Sequence, residues 1–377
     1  MYFKDSVRAL ILLLFLSTLS TYAQDKPEIK LGGALRFNYN YSDWIEESKN
    51  TGGQFGYDVF RLNASGSYKK MIFDAEYRFY SSASGGQMLK HGWVGYQFDD
   101  QNQLQVGLNT IPFGILPYNS NNWFFGINYY LGMEDDADMG IKYTFDDGKW
   151  ALAAAFYKNS DIMKFHSGDG LSSSRYSYDI VGRNKEMSQG NVGVARKWSN
   201  DLLNLELGAS AQVGGIYNID TEKMGSRTAF ALHYLMNLGN WNLKAQYTTY
   251  NMSPKNEDGE KNFIEMGAYG SPYNVATKAD TYTVGLAYNI PINKGILDAI
   301  TLYNDFGVMH KRIDNANESY QNVTGAMFSM GPVYTYLDYA MGKNHAWLGG
   351  DWNDSFAGGQ ESESWHARLN LNIGYYF

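Results

Sequence analysis

The sequence predicts an all-β fold, a transmembrane antiparallel β-barrel of about sixteen strands. Three observations predict it. Apolar and polar residues alternate with a period of two over long stretches, short turns alternate with long loops, and the composition is that of a large sheet with few charges. Aromatic residues make up 16%, Tyr alone numbers 31, and charged residues are only 19%. A soluble domain carries about a quarter charged residues. There are 40 Gly, 7 Pro and no Cys, which excludes disulfides, thiolate metal sites, a Cys nucleophile and a lipid-anchored N-terminal Cys.

The alternation marks the strands one by one. Leu31, Leu35, Phe37 and Tyr39 alternate with Lys30, Arg36, Asn38 and Asn40. Leu62, Ala64 and Tyr68 alternate with Arg61, Asn63 and Ser65, and Phe73, Ala75, Tyr77 and Phe79 with Asp74, Glu76 and Arg78. The same pattern runs through Leu203–Val213, Trp241–Thr248 and the closing strand Trp365–Phe377. Two unlike faces are the mark of a strand between two solvents. Runs of about ten residues suit tilted strands crossing a bilayer. The charged face must then look into a wet lumen, because lipid offers charges no partners. The stretches 88–98, 191–198, 297–308 and 321–331 alternate poorly and leave their facing open.

Connection lengths fix the topology. Short turns fall at Lys69-Lys70, Asp99–Gln103, Asp146–Lys149, Ser199–Asp201, Leu238–Asn240, Pro291–Ile296 and Gly331-Pro332. Long loops fall at 41–56, 81–86, 111–137, 159–187, 217–225, 252–279, 309–320 and 342–362. Eight loops and seven turns give sixteen strands and place both termini at the periplasmic rim. Trp150, Trp198 and Trp241 beside short turns form an aromatic girdle there. Pro27, Pro112, Pro117, Pro254, Pro272, Pro291 and Pro332 are expected outside strand interiors, where a missing N–H would break a ladder.

The N-terminus predicts export. Lys4 and Arg8 precede the apolar run Ala9–Leu16, and Thr21-Tyr22-Ala23 offers a cleavage site, so residues 1–23 read as a signal peptide and 24–377 as a single barrel domain. The apolar run falls short of the roughly 20 residues that span a bilayer. Removing Lys4, Arg8 and Asp5 (two cations, one anion) takes the formal charge from −8 to −9. That acidity argues against nucleic acid, whose binding needs a basic footprint. The expected surroundings are the lipid of a Gram-negative outer membrane. An enzyme is not expected, because no nucleophile elbow, His-Glu-x-x-His or phosphate-cradling Gly loop is present, and the six His are scattered with no evident partner.

Two stretches resemble known proteins. The C-terminal LNLNIGYYF resembles the closing strand of outer-membrane proteins, which ends in an aromatic. The resemblance implies that Phe377 serves assembly by the barrel-assembly machinery. LQVGLNTIPFGILP at 104–117 is similar to the phosphate-selective porin O/P family and its superfamily, and the signal ending in Ala-Gln looks like Bacteroidetes exports. That resemblance implies a homotrimer whose third loop, here 111–137, folds into the lumen and narrows it. It also implies passive diffusion of small polar solutes or inorganic ions, with no cofactor. The family's anion-selective members line the constriction with basic residues. Loop 111–137 departs from this: it holds no Lys or Arg and ends in Glu134, Asp135 and Asp136, followed by Asp138. The alternatives are a sugar- or anion-specific porin and a non-conducting surface-binding barrel.

Candidate pore residues follow from the facing. Arg36, Arg61, Arg78, Lys142, Lys244 and Arg368 point inward, and the first three with Arg368 should form one basic wall, because the last strand closes beside the first. Glu134, Asp135, Asp136 and Asp138 lying opposite would make a charged constriction with a transverse field. The competing reading pairs the cations with Asp74, Glu76, Glu206 and Asp338 on neighbouring strands. Trp123, Phe124, Phe125, Tyr129 and Tyr130 either stack on sugar rings or pack the loop against the wall. Asp351 and Asp354 are two carboxylates where calcium sites take about 6–8 oxygens, so no metal site is expected.

Overall fold

A computed structural model describes residues 27–161 and 170–377. The expected signal peptide at 1–23 and part of the expected loop 159–187 lie outside the described residues. The strands are β1 (Glu28–Ser42), β2 (Gln54–Tyr68), β3 (Met71–Phe79), β4 (Gln87–Gln97), β5 (Asn102–Thr110), β6 (Ala137–Asp146), β7 (Trp150–Asn159), β8 (Asp179–Ile180), β9 (Asn184–Ser199) and β10 (Leu203–Asn218). They continue as β11 (Lys223–Leu238), β12 (Trp241–Ser253), β13 (Phe263–Ala268), β14 (Ser271–Ala276), β15 (Lys278–Lys294), β16 (Leu297–Lys311), β17 (Ser319–Met330), β18 (Val333–Lys343) and β19 (His366–Tyr376). One short helix, α1 (Glu46–Thr51), sits in the first loop.

Sixteen of these strands form one closed antiparallel barrel, and β8, β13 and β14 form a separate three-stranded sheet inside the fourth and sixth loops. Closure leaves no unpaired edge in lipid. It occurs between β1 and β19, with Ala34 opposite Tyr376 and Arg36 opposite Gly374. Phe377 extends that ladder: Gly33 N–H donates to its carbonyl at 2.8 Å, and its own N–H donates to Gly33 O at 3.1 Å. Gly33 is needed there, since a Cβ would come within 2.7 Å of the Phe377 ring. Leu35, Leu62, Val94, Ile141, Leu152, Val194, Leu232, Val284, Leu302, Leu337 and Ile373 form the exposed outer apolar face. Trp241 packs on Tyr288 at 4.5 Å in the turn-side girdle.

Three details differ from the sequence expectation. Pro272 and Pro291 lie inside β14 and β15. Pro291 is tolerated because the β15–β16 register breaks immediately after it. The expected loop 217–225 shrinks to a tight turn between Asn218 and Lys223.

The third difference bears on the poor alternation of 321–331. A hydrophobic core occupies part of the barrel interior. Ile127, Tyr129 and Leu131 of the third loop and Met266, Tyr273 and Val275 of the β13–β14 hairpin pack with Phe356 of the last loop. They pack against the wall residues Ala231, Tyr250, Met252, Ala279 and Met309. On β17, inward Val323 is buried by Phe124 and Leu348. There β17 carries apolar residues on both faces, so its period-two signal fades. Full burial of one Leu, Ile or Phe side chain contributes about 1.5–3 kcal/mol, so the plug is a stable body rather than a draped loop.

Candidate functional site

The third loop runs from β5 to β6, yet its backbone is fastened to strands far around the wall. Gly114 N–H donates to Ser210 Oγ on β10 at 2.9 Å, and Ile115 N–H to Gln246 Oε1 on β12 at 2.8 Å. Asn121 N–H donates to Asp305 on β16 at 2.8 Å, and Gln321 of β17 donates to Phe125 O at 3.1 Å. Thr281 on β15 donates to Asn128 Oδ1 at 2.6 Å. Each such bond contributes about 1 kcal/mol net, but losing one would leave a buried partner unsatisfied at greater cost.

What this body leaves open is a cavity of about 1080 Å³ against β1, β2, β3, β17, β18 and β19, six strands adjacent around the barrel. Its lining reaches from Ile45, Glu47 and Ser84 in the loops to Tyr334 and Tyr376 near the opposite rim. Arg36, Arg61, Arg78 and Arg368 all line it, together with Trp123, Phe124 and Tyr129. The strand register makes this arc: β19 closes on β1, which pairs with β2, which pairs with β3.

Every one of the four guanidiniums lies over an aromatic ring. Arg36 sits 4.2 Å from the Trp123 ring, Arg78 4.2 Å from Tyr176, Arg61 5.1 Å from Tyr376 and Arg368 5.1 Å from Trp44. Such contacts hold a cation while keeping its hydrogen-bonding edge free. Two carboxylates offset part of the charge: Arg36 pairs with Asp58 at 2.9 Å, and Arg78 and Arg61 share Glu76 at 2.5 and 3.7 Å. Among the described residues Arg368 has no carboxylate within ion-pair distance, and it donates to Ser42 at 3.1 Å. Among residues that themselves line the cavity, four guanidiniums face two carboxylates, Glu47 and Asp58, so the lining is net positive.

Lys142 and Lys244 do not join this wall. Lys142 Nζ donates to Thr110 O at 2.7 Å, and Lys244 Nζ to the carbonyls of Ser120 at 2.7 Å and Tyr118 at 3.2 Å. Lys142 is buried and Lys244 half-buried on the inner wall, where Lys142 holds the end of β5 and Lys244 holds the third loop's backbone.

The acidic run is displaced in the same way. Glu134, Asp135, Asp136 and Asp138 are all buried and none lines the cavity. Glu134 accepts from Asn119 N–H at 3.1 Å, and burial pushes its carboxyl up to about 8. Asp135 pairs with Lys90 at 3.0 Å and accepts from Tyr176 OH at 2.6 Å. Asp136 accepts from Ala137 N–H at 2.8 Å. Asp138 lies with Asp179 and Glu186 behind the loop. The expected acidic face of a constriction is therefore replaced by an aromatic one. The physical reason is that Glu134, Asp135 and Asp136 find protein donors, in Asn119 of the same loop, Lys90 of the wall, Tyr176 of the fourth loop and Ala137 N–H, which offset the cost of burying them.

The aromatics do two jobs at once. Phe125 stacks on Tyr129 at 4.2 Å, Tyr129 meets Tyr178 edge-on at 5.2 Å, and Trp123 lies 6.2 Å from Tyr336. They pack the loop into the core and present ring surface to the cavity.

Sequence reasoning missed Asp58, Lys90, Trp44 and Tyr176. Asp58 and Lys90 both sit at β-bulges, where the register shifts opposite Arg36/Phe37 and Glu76/Tyr77. A bulge puts an extra residue out of phase, so counting by twos fails there. The histidines do find partners: His91 with Asp74, and His233 with Glu206 at 3.0 Å. These are cross-strand neighbours, which spacing along the chain does not reveal. Asp351 caps its own turn, accepting from Asn353 and Asp354 N–H.

No known protein-family profile and no curated protein sequence matches the chain. Solved structures do match its fold, that of outer-membrane porin barrels. An anion-selective porin from Comamonas acidovorans superposes with a TM-score of 0.60 at 14% identity, covering 93% of this chain and 100% of that one. OprB from Pseudomonas putida gives 0.60 at 8%, covering 93% and 94%. The trimer form of OmpT, an outer membrane protein from Vibrio cholerae, gives 0.57 at 12%, covering 94% and 100%. At these identities the likeness is one of fold.

Proposed function

We propose that the protein is an outer-membrane porin through which small polar solutes and inorganic ions diffuse passively, with a preference for anions. The observation that carries this is the cavity running most of the barrel's height with four guanidiniums against two carboxylates on its lining. A positively lined passage with low-dielectric walls concentrates anions and repels cations. The aromatic face opposite supplies no compensating negative charge. Narrowing by the third loop sets the size limit. No chemistry is required, and the side chains act only by size and charge filtering.

The surrounding assignments belong to the same reading. Residues 1–23 direct export to the Gram-negative outer membrane, the exposed apolar belt meets lipid, and the mature barrel assembles as a homotrimer. The Vibrio cholerae structure with the same fold is itself described as a trimer form. Phe377 packs its ring 6.5 Å from Phe60 and completes the β1–β19 ladder. It is also the residue through which the barrel-assembly machinery engages the chain. Phe377→Ser should reduce the yield of trypsin-resistant barrel severalfold, and an undiminished yield would refute that role.

The proposal is tested by reconstituting the purified barrel into planar bilayers. A steady open channel supports it. A barrel that inserts and binds lipid but shows no open level would instead mark a filled, surface-binding protein.

A further inference from the structure

We infer that the protein holds a divalent cation of the calcium class between Asp138, Asp179 and Glu186, where the third and fourth loops meet the wall. The three come from different elements: the start of β6, the short β8 of the fourth loop, and the start of β9. One carboxylate oxygen from each lies within 4.8 Å of the others. Oxygens bound about 2.3–2.6 Å from one Ca²⁺ are at most about 5 Å apart, so the three fit a single coordination sphere. The donors are hard oxygens without His or Cys, which suits calcium or magnesium and not zinc or copper.

Two further observations point to a ligand. Asp138 is 1% exposed, and among the described residues its carboxylate makes no hydrogen bond or ion pair, with Oδ1 sealed from solvent and unpartnered. Glu186 Oε2 is sealed and unpartnered as well, although its other oxygen meets Arg227. At the next inward position along β9, Gln189 is 2% exposed with both amide atoms unpaired. Buried charge is expensive unless paired or metal-bound. Asp136 acts on the same group electrostatically. Among the described residues, the guanidiniums of Arg175 on Asp179 and Arg227 on Glu186 are the paired cations. Four carboxylates against two guanidiniums, one of which also meets Asp161 at 2.6 Å, leave an excess of negative charge that a divalent ion offsets.

Bound there, the ion would fasten the end of the third loop to the fourth loop and to β9. It would act as a structural clamp behind the passage, separate from the arginine arc.

The test uses detergent-purified barrel washed with chelator, titrated with Tb³⁺ as the probe. Tyr157, fully buried and electrostatically coupled to Asp138, serves as the antenna for sensitised emission. We expect one Tb³⁺ per chain, displacement by Ca²⁺, and a thermal transition raised by Ca²⁺. Asp138→Asn and Glu186→Gln should each weaken Tb³⁺ binding by more than about tenfold and abolish the Ca²⁺ shift, with the folded form confirmed by gel mobility. Asp351→Asn, in an exposed loop, should change nothing. Absence of sensitised emission, or a transition that ignores Ca²⁺ in the unmodified protein, overturns the site even if no variant folds. A signal that survives in Asp138→Asn, or disappears in Asp351→Asn, overturns it too.

Discussion

The two halves of the barrel interior are built on opposite principles. Along β10, β11, β12, β15 and β16 the wall is covered by the third loop, the β13–β14 hairpin and the last loop, with Ala231, Met252, Ala279 and Met309 fully buried. Along β17, β18, β19, β1, β2 and β3 the wall lines the cavity and carries Arg36, Arg61, Arg78 and Arg368, with Val323 and Ala340 capped by Phe124 and Leu348 in a small second cluster. The difference teaches that in a barrel of this size the lumen is not a uniform pore. Loop residues turn one half into a protein core and leave the other as the cavity, so on the proposed function stability and selectivity belong to different arcs.

Four changes to the chain probe that division. The largest effect is expected in the covered half. Phe356 is fully buried against Tyr273 and Tyr130, so Phe356→Ala should cost about 3–5 kcal/mol of stability. It should leave ion preference nearly unchanged, as checked by denaturation alongside bilayer recording. Equal stability would mean the plug is not a packed core. Next come the four arginines of the open arc. Replacing all four with Gln should lower anion-over-cation permeability by about tenfold, read from reversal potentials; an unmoved potential would remove them from the passage. Excising 118–132 should raise single-channel conductance about twofold, and an unchanged conductance would show that this loop does not bound the passage. The smallest effect is predicted for Glu134→Gln with Asp135→Asn. These residues are sealed behind the rings, so the reversal potential should scarcely move, whereas a strong shift toward anions would restore them to the pore.

Much of the open half was legible in the sequence, and little of the covered half was. Alternation of Arg36, Arg61 and Arg78 with apolar neighbours gave the sixteen-strand barrel its facing, and the aromatic C-terminus gave its closure. That was enough to bring Arg36, Arg61 and Arg78 of the first three strands and Arg368 of the last onto one arc. The covered half was hidden because its inward Ala, Met and Tyr residues look like broken alternation rather than a second core. Lys142 and Lys244 read as pore cations until their carbonyl partners are known. The acidic run Glu134–Asp138 misled for a related reason: charge in a loop suggests water, yet here wall and loop donors receive each carboxylate except that of Asp138. Bulges account for Asp58 and Lys90.

The division can be measured directly because the chain contains no cysteine, so a single introduced thiol is the sole target of a charged thiol reagent. Asn38 lines the cavity on β1, whereas Ala231 is fully buried beneath the plug on β11. Modifying Asn38→Cys in an open channel should lower its conductance, while Ala231→Cys should stay unreactive with its conductance unchanged. Reaction at Ala231→Cys with an inert Asn38→Cys would contradict the division.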